Sequence, residues 1–197
     1  MVCTRINGSG KYGFRSGKQI AILEIRDIKI RKGQPGEERS LAKMARETFW
    51  ETYSGQNSPE NMRIYMEEAF SESQISEELL DARSIFIYLM TGSTPAGYVK
   101  GSIRQSPPFP WFGDLLWIDR IYLYLRFQKN GLGSVLIKQM MDFSKENGLK
   151  GMGLAVWKKN LPAIAFYQKW GFEIVRSTTF LLGNDLQNDW LMFRSLE

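Results

Sequence analysis

The 197-residue chain contains no histidine and a single cysteine, Cys3. Without histidine there is no Ser-His-Asp or Cys-His nucleophilic catalysis and no histidine-ligated metal site. One cysteine excludes an internal disulfide framework and cysteine-based zinc clusters. Any catalysis must therefore depend on carboxylates, tyrosine, lysine, backbone groups or a bound cofactor, and no metal ion is expected.

The chain also lacks the roughly 18 consecutive apolar residues that a membrane span needs. Its start, Met1 to Gly10, lacks the apolar segment of a signal peptide. We therefore expect no membrane association and a cytoplasmic location. Hydrophobic residues make up 43% of the chain and charged residues 24%, which is typical of a globular protein.

The net charge of +5 is distributed unevenly along the chain. Residues 1–32 carry eight basic residues against two acids, so the basic excess lies at the start and nucleic acid is not the expected partner. Residues 51–99 carry eight acids against Arg63 and Arg83, whereas residues 100–170 carry eleven basic residues against four acids. Such runs are usually solvated surfaces. Alternatively, the acidic segment binds a cationic substrate and the basic one a phosphorylated cofactor.

Periodicity and capping residues predict an α/β protein. We expect a flexible basic extension over residues 1–20 and a single domain over residues 21–197. The predicted order is β-α-α-β-β-β-α-β-α-β-β, a mixed sheet of about six to seven strands flanked by four to five helices. The predicted strands are Ile20–Lys32, Ser84–Met90, Ala96–Arg104, Leu115–Leu123, Gly151–Trp157, Phe172–Leu181 and Trp190–Leu196. The predicted helices are Pro35–Trp50, Asn57–Phe70, the shorter Ser73–Asp81, Gly131–Asn147 and Pro162–Trp170.

A glycine-containing turn follows the central predicted strand. The segment from Arg126 to Ser134 contains Gly131 and Gly133 and leads directly into a helix. Glycine lets the backbone approach a ligand closely, and the free amides of a helix N-terminus attract an anion. The turn predicts a phosphate site, with a merely tight strand-to-helix connection as the alternative. The Walker pattern is absent, so this is not an NTP-hydrolysing loop.

Two motifs in order resemble the GCN5-related N-acetyltransferases, the GNAT family. The first is Q-x-x-G-x-G at Gln128, Gly131 and Gly133, and the second is N-x-x-A-x-x-F-Y-x-K-x-G-F from Asn160 to Phe172. The resemblance covers about residues 25–197. Further segments resemble the bacterial PaiA-type polyamine acetyltransferases of this family: Glu47–Phe49, Gln56–Met62, Ala96–Lys100, Asp119–Tyr122, Phe127–Gly133 and Val156–Asn160.

The resemblance implies the GNAT fold and direct transfer of an acetyl group from acetyl-CoA to a primary amine in a ternary complex. It implies a polyamine acceptor such as spermidine or spermine. An ammonium must lose a proton, an oxyanion must be stabilised and the departing thiolate must be protonated, and none of these steps needs histidine or a metal ion. Members of the family often form homodimers, but no segment of this sequence identifies an interface.

The resemblance assigns Tyr167 to protonation of the thiolate, because a phenol and a thiolate are of similar basicity. Asp119 is the first candidate for the general base, acting directly or through water, and its alternative role is an ion pair with a neighbouring arginine. Glu51 or an acid within residues 67–81 is the other candidate to hold the ammonium. Ala155 stands where related ribosomal-protein acetyltransferases have a glutamate, so this chain departs from their pattern.

The resemblance also implies the groups that hold the two substrates. A backbone amide within residues 121–123 is expected to meet the oxyanion. The residues expected to bind acetyl-CoA are Ile121, Tyr122, Leu123, Arg126, Gln128, Lys129, Asn130, Gly131, Leu132, Gly133, Ser134, Asn160, Phe166 and Lys169. The residues expected to line the acceptor site are Phe49, Tyr53 and Gln56.

Acidic residues near the expected acceptor site favour a polyamine, because several carboxylates along a groove attract a flexible polycation. They are Glu60, Glu67, Glu68, Glu72, Glu77, Glu78 and Asp81. Two alternatives stay open at this point. One is a protein acetyltransferase acting on an N-terminus or a lysine, and the other is a non-catalytic CoA-binding regulatory module.

Overall fold

The computed structural model describes residues 27–105 and 114–196, which contain seven strands and five α-helices. The predicted extension and the first part of the predicted first strand lie outside these residues. The strands are β1 (Ile28–Lys32), β2 (Ser84–Thr91), β3 (Thr94–Gln105), β4 (Asp114–Leu123), β5 (Gly151–Trp157), β6 (Glu173–Leu182) and β7 (Asp185–Ser195). The helices are α1 (Glu38–Tyr53), α2 (Pro59–Ala69), α3 (Glu72–Leu80), α4 (Leu132–Glu146) and α5 (Leu161–Lys169), with a 3₁₀ turn at Leu125–Phe127.

The seven strands form one mixed sheet in the order β1-β2-β3-β4-β5-β7-β6. Only β4 and β5 are parallel, and every other neighbouring pair is antiparallel. This confirms the predicted α/β class and the mixed sheet. Within the part of the chain that is described, no helix is both long enough and apolar enough to cross a membrane.

Helices cover both faces of the sheet, because alternate strand residues point to opposite sides. On the α1 face, α1, α2 and α3 pack on Phe86, Tyr88 and Tyr98. On the α4 face, α4 and α5 pack on a larger aliphatic cluster that includes Leu116 and Leu154. The central strands are therefore buried on both sides.

Helices α2 and α3 begin where the sequence supplies a capping side chain. The Ser58 hydroxyl accepts from the Asn61 amide at 3.2 Å to start α2, with Pro59 in the first turn. The Ser71 hydroxyl accepts from the Gln74 amide at 3.1 Å to start α3. These bonds satisfy amides that have no partner within the helix.

Two irregularities in β4 shape the centre of the sheet. Against β3, Lys100 pairs with Arg120 and Gly101 with Ile118, so Asp119 is the extra residue of a β-bulge. Against β5, the register ends at Ile118. The rest of β4 separates from β5 and leaves a gap in the sheet.

The structure corrects the predicted elements in two places. The predicted order has two helices before the β2–β3 hairpin, whereas the structure has three, α1, α2 and α3. The third corresponds to the short helix predicted at Ser73–Asp81. Strand β7 begins at Asp185 and not at Trp190. The polar run ahead of Trp190 contains Asn and Asp, which are depleted in strands, and its strand character depends on pairing with β6.

Candidate functional site

A cleft of about 830 Å³ occupies the gap between β4 and β5 and is lined from both faces of the sheet. On the α4 face its lining includes Gly133 and Tyr167. On the α1 face it includes Tyr53 and Tyr65. A ligand entering from either side can therefore reach the same gap.

The turn into α4 forms the outer end of the cleft on the α4 face. Gly131 adopts a left-handed conformation with φ of 76° and directly precedes the helix, a backbone shape that glycine adopts without strain. A Cβ on Gly133 would lie 3.4 Å from the Phe166 ring. Gly131, Gly133, Ser134 and Lys129 all line the cleft. The first amides of a helix lack internal partners and carry partial positive charge, so this end suits an anion.

Two polar side chains hold the turn in shape. Gln128 Nε2 donates to the Leu123 carbonyl at 3.1 Å, which links the turn to the end of β4. Asn130 Nδ2 donates to the Gln128 carbonyl at 2.8 Å. Gln128 lines the cleft, whereas Asn130 is exposed and does not line it.

Three other residues expected to bind the cofactor lie away from the cleft. The Arg126 guanidinium lies over the Tyr124 and Phe127 rings at 4.9 and 5.0 Å. Leu132 is buried in the core of the α4 face, and Lys169 is exposed at the end of α5. Neither these residues nor Asn130 line the cleft, so the structure places ten of the fourteen expected residues there.

The separated end of β4 supplies the floor of the cleft. Ile121, Tyr122 and Leu123 line it beyond the last residue that pairs with β5. Backbone groups on this edge face the gap and not a neighbouring strand. Such an edge can hydrogen-bond an extended ligand in place of a strand, or stabilise an oxyanion.

Tyr167 lies on α5 next to Phe166, and both line the cleft. The residue is 7% exposed, and burial raises the pKa of its hydroxyl well above the usual value. The phenol is therefore held in its protonated form. At the start of α5, Asn160 Oδ1 caps the Ala163 amide at 3.2 Å, which leaves its amide group to act as a donor.

Aromatic side chains line the cleft on the α1 face. The ring centroid of Tyr53 lies 6.3 Å from that of Tyr122, 6.2 Å from that of Trp157 and 4.8 Å from that of Phe49. We call this set the aromatic wall, and it comprises Phe49, Tyr53, Tyr65, Tyr122, Trp157 and Phe180. Rings of this kind accept a cation on their faces.

The expected acceptor residues divide between the cleft and the surface. Phe49 and Tyr53 belong to the aromatic wall, whereas Gln56 is exposed and does not line the cleft. The neighbouring Asn57 takes that place. Its Oδ1 accepts from Gln187 Nε2 on β7 at 2.6 Å, which joins the α1–α2 connection to the sheet.

Asp119 lies in a buried network of charges at one end of the cleft. It pairs with Arg104, and its Oδ2 lies 3.6 Å from Lys100 Nζ. Lys100 also contacts Glu78 at 2.9 Å, and Arg120 contacts Glu78 at 2.7 Å. Asp119 lines the cleft, as predicted for a base, yet it makes the ion pair that was its alternative role.

The acidic residues of the α2–α3 region do not gather along the cleft. Glu60 and Glu67 pair with Arg63 on the exposed side of α2, and Asp81 caps the turn before β2. Glu78 alone in this group lines the cleft, and it is neutralised by Lys100 and Arg120. The expectation that these acids form a groove for a polycation is therefore wrong.

A carboxylate that the sequence analysis missed lies in the cleft. Asp189 on β7 is 7% exposed, and its Oδ1 has no hydrogen-bond partner in the described part of the chain. Burial raises its pKa to about 6, and the charge of Lys158 opposes part of that rise. No local sequence signal marks it, because the run from Asp185 to Asp189 is polar and becomes a strand only through its pairing with β6.

The Glu51 carboxylate, the other early candidate, accepts from the Leu125 amide at 2.8 Å and does not line the cleft. Ala155 lines the cleft on β5 and carries no acid there. Across residues 27–105 and 114–196 there is no cluster of three or more side chains arranged to hold a metal ion.

Comparison with known proteins shows the family of the chain. Residues 42–172 match the acetyltransferase (GNAT) family. The chain is 33% identical over 157 residues to an uncharacterized N-acetyltransferase of Lactobacillus delbrueckii subsp. lactis, covering 78% of this chain and 88% of that protein. It is 26% identical over 151 residues to a spermidine N(1)-acetyltransferase of Thermoplasma acidophilum, covering 75% and 89%.

Among solved structures, the fold is similar to that of the PaiA N-acetyltransferase of Thermoplasma acidophilum in complex with coenzyme A. The TM-score is 0.72 at 23% identity, over 85% of this chain and 98% of that one. The chain therefore belongs to the acetyltransferase (GNAT) family, and it is an N-acetyltransferase.

Proposed function

We propose that this enzyme transfers an acetyl group from acetyl-CoA to a primary amine of a polyamine such as spermidine or spermine, within a ternary complex. The observation that carries the acceptor class is the buried carboxylate of Asp189 beside the aromatic wall, whose Oδ1 has no hydrogen-bond partner among residues 27–105 and 114–196. A buried charge is stabilised only by pairing, and an ammonium ion provides that partner.

The α4 face suits the donor. The Gly133 amide and the Ser134 and Lys129 side chains would hold the pyrophosphate, and the separated edge of β4 would bond the pantetheine arm. The Asn160 amide group is directed by its capping role and is available to the same arm. Acetyl-CoA supplies a thioester-activated acetyl group at the gap between β4 and β5.

A second carboxylate supports a diamine or polyamine over a monoamine. Asp185, Gln187 and Asp189 share one face of β7, since they are alternate residues. Four residues of extended strand correspond to ~13 Å, which is comparable to the separation of the terminal nitrogens of an extended spermidine. Asp185 is exposed at the outer end of β7 and accepts from Gln187 Nε2 at 2.8 Å.

The 26%-identical relative described as a spermidine N(1)-acetyltransferase supports the same acceptor class. A peptide acceptor would need groups along the cleft that bond its backbone. A non-catalytic CoA-binding module would need neither the protonated Tyr167 nor an unpaired carboxylate in the same cleft. We therefore favour a polyamine acceptor over a peptide acceptor and over a non-catalytic CoA-binding module.

An acceptor panel tests the proposal directly. Initial rates with acetyl-CoA would be measured for spermidine, spermine, butylamine, an aminoglycoside and peptides with free N-termini. We expect kcat/KM for spermidine or spermine to exceed that of every other acceptor by at least about tenfold, a difference of about 1.4 kcal/mol. A peptide or aminoglycoside as the best acceptor would refute the polyamine proposal.

The variant Asp185→Asn tests whether Asp185 binds the second ammonium of the acceptor. We expect the ratio of kcat/KM for spermidine to that for butylamine to fall about tenfold, because butylamine has no second ammonium to lose its partner. An unchanged ratio would show that Asp185 does not contact the acceptor.

A further inference from the structure

We propose that Asp189 is the catalytic base that removes a proton from the acceptor ammonium. This rests on the proposed function only in requiring that the acceptor is an amine, and it reassigns the role first given to Asp119. Nothing about the base depends on whether the amine belongs to a polyamine or to a peptide.

The position of Asp189 in the sheet directs its side chain toward the reaction site. It pairs with Trp157 of β5 and with Thr178 of β6, so its side chain shares a face with Trp157. That face is the one on which Tyr53 contacts Trp157. An amine lying against Tyr53 and Trp157 would therefore meet the Asp189 carboxylate.

The surroundings of Asp189 leave it unneutralised. From α1 it faces Tyr53, and from β7 itself Gln187, which are uncharged. The nearest cation is Lys158, after β5, whose Nζ lies 3.8 Å from the centroid of the Trp190 ring. Trp190 points to the opposite face from Asp189, and within the described residues Lys158 and Asp189 form no ion pair.

Among the described residues three carboxylates line the cleft, and the two other than Asp189 are already paired. Glu78 contacts Lys100 and Arg120, and Asp119 contacts Arg104 and Lys100. A carboxylate held by two cations is not available to bind an ammonium. Asp189 is the one whose oxygen has neither a cation nor a donor within the described part of the chain.

The ionisation of Asp189 suits a base. Burial raises its pKa to about 6, so near pH 7.5 it is ionised and still more basic than an ordinary aspartate. Tyr53, the aromatic neighbour, has its own pKa raised by burial and stays protonated in this range. The two groups therefore do not compete for the proton.

The ammonium gives one proton to the Asp189 carboxylate, directly or through one water, and its nitrogen lone pair forms a bond to the thioester carbonyl carbon. The C–S bond then breaks, the sulfur takes the Tyr167 hydroxyl proton, and the second nitrogen proton restores the phenol through solvent. The Asp189 proton leaves to solvent, so the products are the amide, the thiol of coenzyme A and one proton.

The test compares the pH dependence of kcat/KM in the wild type and in Asp189→Asn, using whichever panel amine is turned over fastest. In the wild type we expect kcat/KM to fall tenfold per pH unit below about 6. In Asp189→Asn we expect a loss of about 10²- to 10⁴-fold at pH 7.5. The break near pH 6 should vanish, and kcat/KM should instead rise tenfold per pH unit over the whole range below the pKa of the amine, because only the free amine then reacts.

Two further variants control the comparison. Asp189→Glu should restore the break in the pH profile of kcat/KM and part of the lost kcat/KM, because the carboxylate is retained. Asp142→Asn removes an exposed aspartate on α4 that pairs with Lys138, and we expect it to match the wild type. Acetyl-CoA affinity should stay within about twofold in all variants, which shows that the donor site is intact.

Several results would overturn the assignment. They are a wild-type profile without a break near pH 6, an Asp189→Asn rate within threefold of wild type, or a break near pH 6 that is abolished by Asp119→Asn but kept in Asp189→Asn. Turnover of peptides alone would refute the polyamine acceptor, yet the same profiles would still decide the role of Asp189. Loss of acetyl-CoA binding in Asp189→Asn together with no rescue by Asp189→Glu would show a structural role and also refute the base.

Discussion

Two aspartates line the same cleft, and their neighbours give them different chemistry. Asp119 lies in a β-bulge where Arg104 and Lys100 hold its carboxylate. Asp189 lies on a regular strand among aromatic rings, and its Oδ1 has no hydrogen-bond partner among the residues that the structure describes. A buried carboxylate that is paired stabilises the fold. A buried carboxylate without a counter-charge destabilises it, and a bound cation removes that cost.

Tyr167 is the other residue whose surroundings define a role. We expect Tyr167→Phe to lower kcat about 10²-fold, because the departing thiolate loses its proton donor, while acetyl-CoA affinity stays within about threefold. Initial-rate kinetics and calorimetric titration with acetyl-CoA measure the two quantities. Equal turnover by the variant would remove Tyr167 from the mechanism.

At the scale of elements, the cleft is built from ends and interruptions of regular structure. The first turn of α4 supplies a helix N-terminus, and the separated end of β4 supplies an edge. The bulge at Asp119 precedes that separation. Each feature leaves backbone groups free for a ligand, at positions that the surrounding core holds fixed.

The N-terminus of α4 gives a prediction that separates stability from function. Ser134→Asp places a carboxylate in the first helical turn, where it interacts favourably with the helix dipole, so we expect an unchanged or slightly raised Tm. The same charge repels a pyrophosphate, and we expect the Kd for acetyl-CoA to rise about tenfold, or about 1.4 kcal/mol.

The matched control for this change is Ser134→Asn, which has nearly the same shape and no charge. Thermal unfolding and titration with acetyl-CoA would be run on both variants. Similar acetyl-CoA affinities in the two would contradict an anion site at this helix end.

Most elements were predictable because their signals are local. The strand Gly151–Trp157 has the predicted bounds, and α2 begins at the predicted Ser58–Pro59 cap. The start of β7 was not predictable, since Asp185–Asp189 is polar in sequence and becomes a strand through its pairing with β6. That error concealed Asp189.

At the scale of the whole molecule, the sheet separates two compartments that meet in one gap. The α4 face presents amides and the α1 face presents rings and carboxylates. A buried charge network through Glu78 ties α3 to β3 and β4. This network neutralises Glu78 and Asp119, whereas Asp189 Oδ1 has no hydrogen-bond partner among the described residues.

The ionised, buried carboxylate of Asp189 lowers the free energy of unfolding, as the direction of its pKa shift shows. The folded pKa of about 6 lies above the value of 3.8 for an ordinary aspartate, so the folded state binds a proton more tightly than the unfolded state. Its contribution to stability is fully favourable below about pH 4 and is lost as the pH rises through 6.

We therefore expect Asp189→Asn to raise the Tm of the ligand-free protein at pH 8, with a gain that shrinks as the pH falls from 6 to 5. Thermal unfolding of both proteins across this range measures the difference. A variant less stable than the wild type at pH 8 would show that the ionised carboxylate has a partner in the fold.

The sequence alone determined the order of most helices and strands, the glycine turn before α4 and the pair Phe166–Tyr167, because periodicity, caps and turn residues act over a few neighbouring positions. Only the tertiary structure decided which carboxylates are neutralised. Glu78 meets Arg120 from 42 residues away, and Asp189 reaches the aromatic wall through strand pairing. Ionisation depends on such distant neighbours and on burial, and the chain acquires both only when it folds.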